Sequence, residues 1–365
     1  MQPAHDDQSY DILFLGGSVL DSDWGQVEQS LREQLAYAGQ RNVRIFNLAS
    51  AAHTSRDSWL KYAALSEARF DLVVFYHGVN DSRANNSPPE EFRENYGHFS
   101  WYEAVNTLAQ YHGQAMFALP YTLRWLVIRT RQVVMKDRYV PTREPRADWV
   151  RYGQESRSAV SFKHNLEAIL DLASQRGDQV LLMTFASYVP ADYSLERFKE
   201  KRLNYGLHLS ALEIWGLPQH VLATVAVHNE IVRWLATQHK QILFVDQASL
   251  MTGSALYFND PYHFTVLGSI KFVENIVRAL LPRPDSNRTR KEKLSLFAAT
   301  NQFLGKQRSP RGRGHWMPMP EVTEKSVVRY AGGSDSYRGG IPERLDDGRT
   351  GFLVPVGTLE HSLSD

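Results

Sequence analysis

The chain has no cysteine. Disulfides, thiolate metal sites and cysteine nucleophiles are excluded together. It has no apolar run of about 18 residues, so no membrane span is expected. Its formal net charge is only +1, without the basic excess that a general nucleic-acid binder carries. Residues 1–10 lack a basic segment followed by an apolar one, so no export signal is read and a cytoplasmic location is expected. No internal repeat is evident. At 365 residues there is material for a sizeable core.

What the chain does contain begins at residues 11–18. The apolar run Ile12-Leu13-Phe14-Leu15 stops at Gly16-Gly17-Ser18. Such a run reads as a buried parallel strand. The glycines permit a sharp turn and a close backbone approach. Val27, Leu31, Leu35 and Ala38 then fall on one helical face, and Gly39 reads as the stop. Residues 43–48 are a second strand. Thr54 or Ser55 caps a helix over about 56–68, and residues 71–76 are a third strand. After an interruption the rhythm resumes: a helix over 162–172, a strand over 180–185, a helix over 221–238, a strand over 241–245, and a last helix over about 266–281. Strands alternating with helices imply a doubly wound α/β domain with a parallel sheet.

The interruption spans about residues 82–160. It opens on Asn85-Asn86-Ser87-Pro88-Pro89 and continues through Phe92, Tyr96, Phe99, Trp101 and Tyr102. It reads as a helical insertion after the third strand, either a cap at the mouth of a site or a satellite layer away from it. Apolar and basic residues stand side by side over 116–138, a pattern of membrane-surface contact that Pro120 and the short length disfavour. Past residue 282 the composition turns basic, polar and weakly periodic, which reads as a linker and a poorly structured tail.

Four stretches carry chemistry: Gly16-Gly17-Ser18, residues 47–55, residues 77–81 and residues 259–265. Each alone reads as a turn. In a doubly wound sheet all four share the edge beyond the carboxyl ends of the strands, where such sheets bind ligands. Asp260 and His263 are three apart, close enough for the carboxylate to fix the imidazole tautomer. The other ring nitrogen can then take a proton from Ser18. The N–H groups of Ser18 and Ala52, with the Asn80 amide, can donate to an oxyanion. Gly17, His53, His77 and Asp81 flank this set as candidate substrate contacts. Asp246 ends the fifth strand, but its separation from His263 makes Asp260 the better partner. His53, His77 and His263 lack metal-ligand spacing, and no metal or cofactor is expected.

Together the four stretches resemble the conserved blocks of the SGNH (GDSL-type) hydrolase superfamily over roughly residues 10–281. Ser18 matches the serine block, Asn80 the asparagine block in Gly78-Val79-Asn80-Asp81, and Asp260-x-x-His263 the last block. The resemblance implies a flavodoxin-like three-layer sandwich with five parallel strands, and a serine, histidine and aspartate site for ester hydrolysis. Residues 76–102 resemble a bacterial, exopolysaccharide-associated branch. Two positions depart from the pattern. Gly17 replaces the family's aspartate, and Ala52 stands where a glycine would, which puts the oxyanion geometry in question because alanine resists positive φ.

The expected activity is hydrolysis of a carboxylic ester, of a saccharide, a lipid or a small molecule, through an acyl-enzyme. Acyl transfer to or from a saccharide hydroxyl would use the same residues. A binding module without turnover is the reading that Gly17 and Ala52 motivate. Residues 339–355 resemble a fragment of a two-Rossmann-domain glycosyltransferase, too small to work as one.

Overall fold

The structure, a computed structural model, describes residues 9–39, 42–65, 68–98, 123, 126–127, 130, 145–239, 241–252 and 255–280. The chain divides into two units, Met1–Leu281 and Pro282–Asp365. The expected linker, tail and glycosyltransferase-like fragment lie outside the described residues, as does most of the insertion.

Five strands form one parallel sheet. They are β1 (Tyr10–Gly16), β2 (Val43–Asn47), β3 (Leu72–Tyr76), β4 (Gln179–Met183) and β5 (Leu243–Val245). The order is β2-β1-β3-β4-β5, the doubly wound order whose switch point lies between β1 and β3. Register places Gly16 beside Tyr76, so the chain leaves β1 and β3 side by side at that point.

Alternation along β1 sorts the core into two layers. Ile12 and Phe14 pack with Val27, Leu31 and Leu35 of α1 (Val27–Tyr37) and with Phe272, Val273 and Ile276 of the last helix (Val266–Leu280). Leu13 and Leu15 face Tyr62 of α2 (Ser55–Ala64), Phe162 and Leu166 of the helix Ser158–Arg176, and Val232 and Leu235 of the helix Pro218–Gln238. Both faces of the central strands are therefore dry, which is why their sequences read as continuous apolar runs.

Several expected boundaries move. The fourth strand ends at Met183; beyond it the Thr184 hydroxyl donates to Asp246 and its N–H to the Val245 carbonyl. The fifth is only three residues long. The second helix stops at Ala64, not 68. The described start of the insertion is tied to the helices beside the sheet and to the loop before one of them: Asn85 accepts from the Ser158 N–H and donates to Thr224, while Asn86 donates to the Trp215 carbonyl. No helix among the described residues is long and apolar enough to cross a membrane.

Candidate active site

Ser18 sits at the end of β1, 8% exposed. Its Oγ is 2.7 Å from His263 Nε2, and His263 Nδ1 is 2.7 Å from Asp260 Oδ2. A carboxylate accepts only, so Nδ1 carries the ring proton and Nε2 accepts from the Ser18 hydroxyl. Asp260 is fully buried and its oxygens are matched by donors. Oδ1 accepts from the N–H groups of Tyr262 and His263 at 2.9 and 2.8 Å, and Oδ2 from the Ser210 N–H at 3.0 Å. A buried carboxylate needs such partners. The loop that carries both residues is closed on itself: the Asn259 N–H donates to the His263 carbonyl, and Asn259 Nδ2 to that of Phe264. The Trp24 ring lies 5.4 Å from the His263 ring at a 30° tilt.

Asn80 is the second residue of the short helix α3 (Val79–Ser82) after β3. Its Oδ1 accepts from Trp215 Nε1 at 2.9 Å, and its Nδ2 donates to the His53 carbonyl at 2.8 Å. An indole N–H only donates and a carbonyl only accepts, so these partners fix which way the amide points. The second Nδ2 hydrogen has no acceptor among the described residues, and neither do the N–H groups of Ser18 and Ala52.

The structure thus brings Ser18, Asp260, His263 and Asn80 to one edge of the sheet. Ala52 stands nearby in the turn before α2, at φ +63°, the left-handed conformation that the missing glycine would have favoured. Gly17 lies within the site. A Cβ there would meet Asn80 Nδ2 at 2.8 Å.

Three residues read as candidate substrate contacts, His77, Asp81 and His53, have partners within the protein, and His77 also lines the cleft over Ser18. The His77 side chain packs beside Phe75, with Nε2 2.6 Å from Ser58 Oγ, and only 2% of the residue is exposed. Burial, then the nearby Lys61 cation, pushes its pKa down to about 3. Asp81 is wholly buried, with its carboxylate accepting from the Ser55 N–H and hydroxyl and from the Tyr96 hydroxyl. Burial outweighs these hydrogen bonds and raises its pKa to about 7. Both residues are tied to α2, His77 through Ser58 and Asp81 through Ser55. The His53 ring is occupied from behind: Nδ1 lies 2.7 Å from Lys61 Nζ, which also donates to the Leu48 carbonyl. Burial lowers the Lys61 pKa to about 8.

A cleft with an empty volume of about 290 Å³, open solvent included, lies over Ser18. Gly17, Ser18, His77, Asn80 and His263 form its polar side; Tyr76, Phe185, Trp215 and Tyr262 form its apolar wall. The sequence reading missed that wall. Tyr262 had a signal, its place next to His263; Trp215 and Phe185 read as ordinary core aromatics. Asp246 bonds Arg233 and Thr184 and takes no part in this cluster. Among the described residues no group of three histidines or carboxylates is placed to hold a metal ion.

No protein-family model and no curated protein matches the chain. Solved structures similar to it include LAE5, an alpha/beta hydrolase enzyme from the metagenome of Lake Arreo, Spain. It is 15% identical, the match covers 74% of this chain and 94% of that one, and the TM-score is 0.40. The acetyl xylan esterase AlAXEase is 13% identical over 74% of this chain and 100% of its own, with a TM-score of 0.40. Axe2, an acetylxylan esterase from Geobacillus stearothermophilus, is 16% identical over 76% and 97%, with a TM-score of 0.39.

Proposed function

We propose that the chain is a serine-dependent hydrolase of carboxylic esters that works through an acyl-enzyme. The observation that carries this reading is the unbroken hydrogen-bonded chain from Ser18 Oγ through the His263 ring to Asp260, with 2.7 Å at each step. Ser18 Oγ attacks the ester carbonyl while its proton passes to His263 Nε2. Asp260 holds the ring in register and stabilises the imidazolium. The carbonyl oxygen, now negative, is met by the N–H of Ser18 and the free amide hydrogen of Asn80, with the Ala52 N–H as a third donor. His263 then hands its proton to the departing alkoxide, leaving an acyl group on Ser18. Water repeats the sequence: His263 takes its proton, the hydroxide attacks the acyl carbon, and Ser18 regains the proton as the acid leaves.

The test is labelling by a fluorophosphonate, which reacts only with an activated serine. The wild-type chain is expected to label, and Ser18→Ala to lose the label while keeping its circular-dichroism spectrum. A folded wild-type chain that stays unlabelled overturns the proposal and turns attention to binding without turnover.

A further inference from the structure

Two of the three proposed oxyanion donors depend on residues 48–53, between β2 and α2. The Ala52 N–H belongs to this turn, and the Asn80 amide is held by the His53 carbonyl at 2.8 Å. The middle of the turn is tied to β1 and to the loop after it. Ser50 N–H bonds the Gly16 carbonyl at 3.2 Å, and Ala51 N–H bonds Asp21 Oδ2 at 3.0 Å. The two ends of the turn meet on a single group. Lys61 of α2 places Nζ 2.6 Å from the Leu48 carbonyl oxygen and 2.7 Å from His53 Nδ1. Ala52, at φ +63°, stands between those anchors.

The Lys61 ammonium forms no ion pair among the described residues, and both of its partners are neutral. Burial lowers its pKa to about 8, against the pull of Asp57 and Asp21. A partly buried cation with no carboxylate against it costs stability, a cost that an apolar chain of the same length avoids. What the ammonium supplies is direction. It donates and cannot accept, so His53 Nδ1 accepts and the ring proton sits on Nε2. Burial, then Lys61 itself, holds the His53 pKa well below its ordinary value, which keeps the ring neutral and Nδ1 able to accept. The ring ties the His53 backbone to α2, and the carbonyl of that backbone is what aims Asn80 Nδ2. Trp215 holds only the other end of the amide, at Oδ1. Both Nδ2 hydrogens lie in the amide plane, so holding one aims the other.

We infer that Lys61 is a positioning residue of the oxyanion hole: by tying the Leu48 carbonyl to the His53 ring, it keeps the His53 carbonyl where it aims the Asn80 amide. The inference rests on the hydrolase reading above. Lys61 does not line the cleft over Ser18. It acts through Asn80, in the step where Ser18 Oγ bonds the carbonyl carbon and an electron pair moves onto the carbonyl oxygen. Its loss raises the barrier of that step and leaves ground-state binding alone.

The experiment sets Lys61→Met, Asn80→Ala and the double variant beside wild type, each as the full-length chain. Methionine keeps the length of the side chain and removes the donor and the charge. Hydrolysis of p-nitrophenyl acetate gives kcat and KM. The rate of fluorophosphonate labelling is measured alongside, since phosphonylation also places negative charge in the hole. Lys61→Met is expected to lower kcat and the labelling rate by about tenfold to a hundredfold, with KM within about twofold. In the Asn80→Ala background the same change should cost about threefold or less, because the amide that Lys61 positions is gone. Unchanged kcat and labelling rate in Lys61→Met overturn the assignment, and so does a loss of equal factor with and without the Asn80 amide. If Lys61→Met loses its circular-dichroism spectrum, His53→Phe decides, since it removes the Nδ1 anchor and leaves the backbone carbonyl. That variant is expected to lower both rates by at least about threefold, and full activity overturns the assignment. If wild type labels without turning over the ester, the labelling rates carry the same comparison. Absence of both labelling and turnover removes the hydrolase reading, and the role of Lys61 with it.

Discussion

A methyl group at position 17 would stand 2.8 Å from the Asn80 amide nitrogen. Side-chain ends normally swing away from such a contact, but this one is held, with Trp215 bonded to one end of the amide and the His53 carbonyl to the other. Gly17→Ala must therefore stretch one of those bonds and turn the free N–H away from the place where an oxyanion would form. Loss of one such donor typically lowers kcat by about 10²–10³-fold. Displacement without loss is expected to cost roughly ten- to a hundredfold, with KM and thermal stability nearly unchanged. Steady-state kinetics on the variant checks this; full activity would mean that Asn80 does not need its present position. The same residue explains a departure visible in the sequence. Where the resembling family has an aspartate, this chain has a glycine, and a Cβ at position 17 is what the present Asn80 geometry has no room for.

The turn that joins β2 to α2 carries the strain of this edge. Ser50 N–H bonds the Gly16 carbonyl, Ala51 N–H bonds Asp21, and His53 N–H returns to the Ser50 carbonyl, so Ala52 is pinned at φ +63° from both sides. The helix beyond is anchored too: the Asp57 carboxylate accepts from the Thr54 N–H and hydroxyl, and Asp81 accepts from the Ser55 N–H. A left-handed alanine costs about 1–2 kcal/mol, and glycine gives back about 0.5–1 kcal/mol in unfolded-chain entropy. Ala52→Gly is thus expected to raise the unfolding free energy by about 0.5–1 kcal/mol, read from urea denaturation. A loss of stability would show that the turn is not strained. Elements of this kind were legible in the sequence, because an apolar run ending in Gly16-Gly17 or Gly78 announces both a buried strand and the turn after it. The partners of His77 and Asp81 were not legible. Both stand near Asn80 and carry the chemistry of a site, yet their bonds to Ser58 and Ser55 depend on how α2 packs. The aromatic wall was hidden for a different reason. Phe185, Trp215 and Tyr262 lie far apart in the chain and look like any core aromatic until the loops fold over β3 and β4.

At the scale of the whole molecule, the buried histidines set how the fold responds to acid. His77 is held at a pKa of about 3, and His98 and His228 at about 4, in each case chiefly by burial. Each is neutral and hydrogen-bonded: His77 to Ser58, His98 to the Ala84 carbonyl and the Arg93 N–H, and His228 to Ser158 and the Gly78 carbonyl. In the unfolded chain a histidine titrates near 6.5. Between about pH 4 and 6.5 the unfolded state therefore binds more protons at these three positions, and stability rises with pH. Asp81 acts in the opposite direction. Its folded pKa of about 7 exceeds the unfolded value near 3.9, so between those values the folded state holds the extra proton and stability falls as pH rises. Burial lowers the His53 pKa as well, so four histidines against one carboxylate leave about two to three protons in favour of the unfolded state near pH 5.5. With about 1.4 kcal/mol per proton per pH unit, the unfolding free energy should climb by roughly 3–4 kcal/mol per unit there. Urea titrations followed by tryptophan fluorescence at half-unit steps from pH 4.5 to 6.5 measure that slope. His77→Gln, which keeps a hydrogen-bonding group near Ser58, should lower it by roughly 1.4 kcal/mol per unit. A flat profile would mean that the histidines are protonated in the folded chain, and that the packing around Ser58, Ala84 and Gly78 is more open to water than their burial implies.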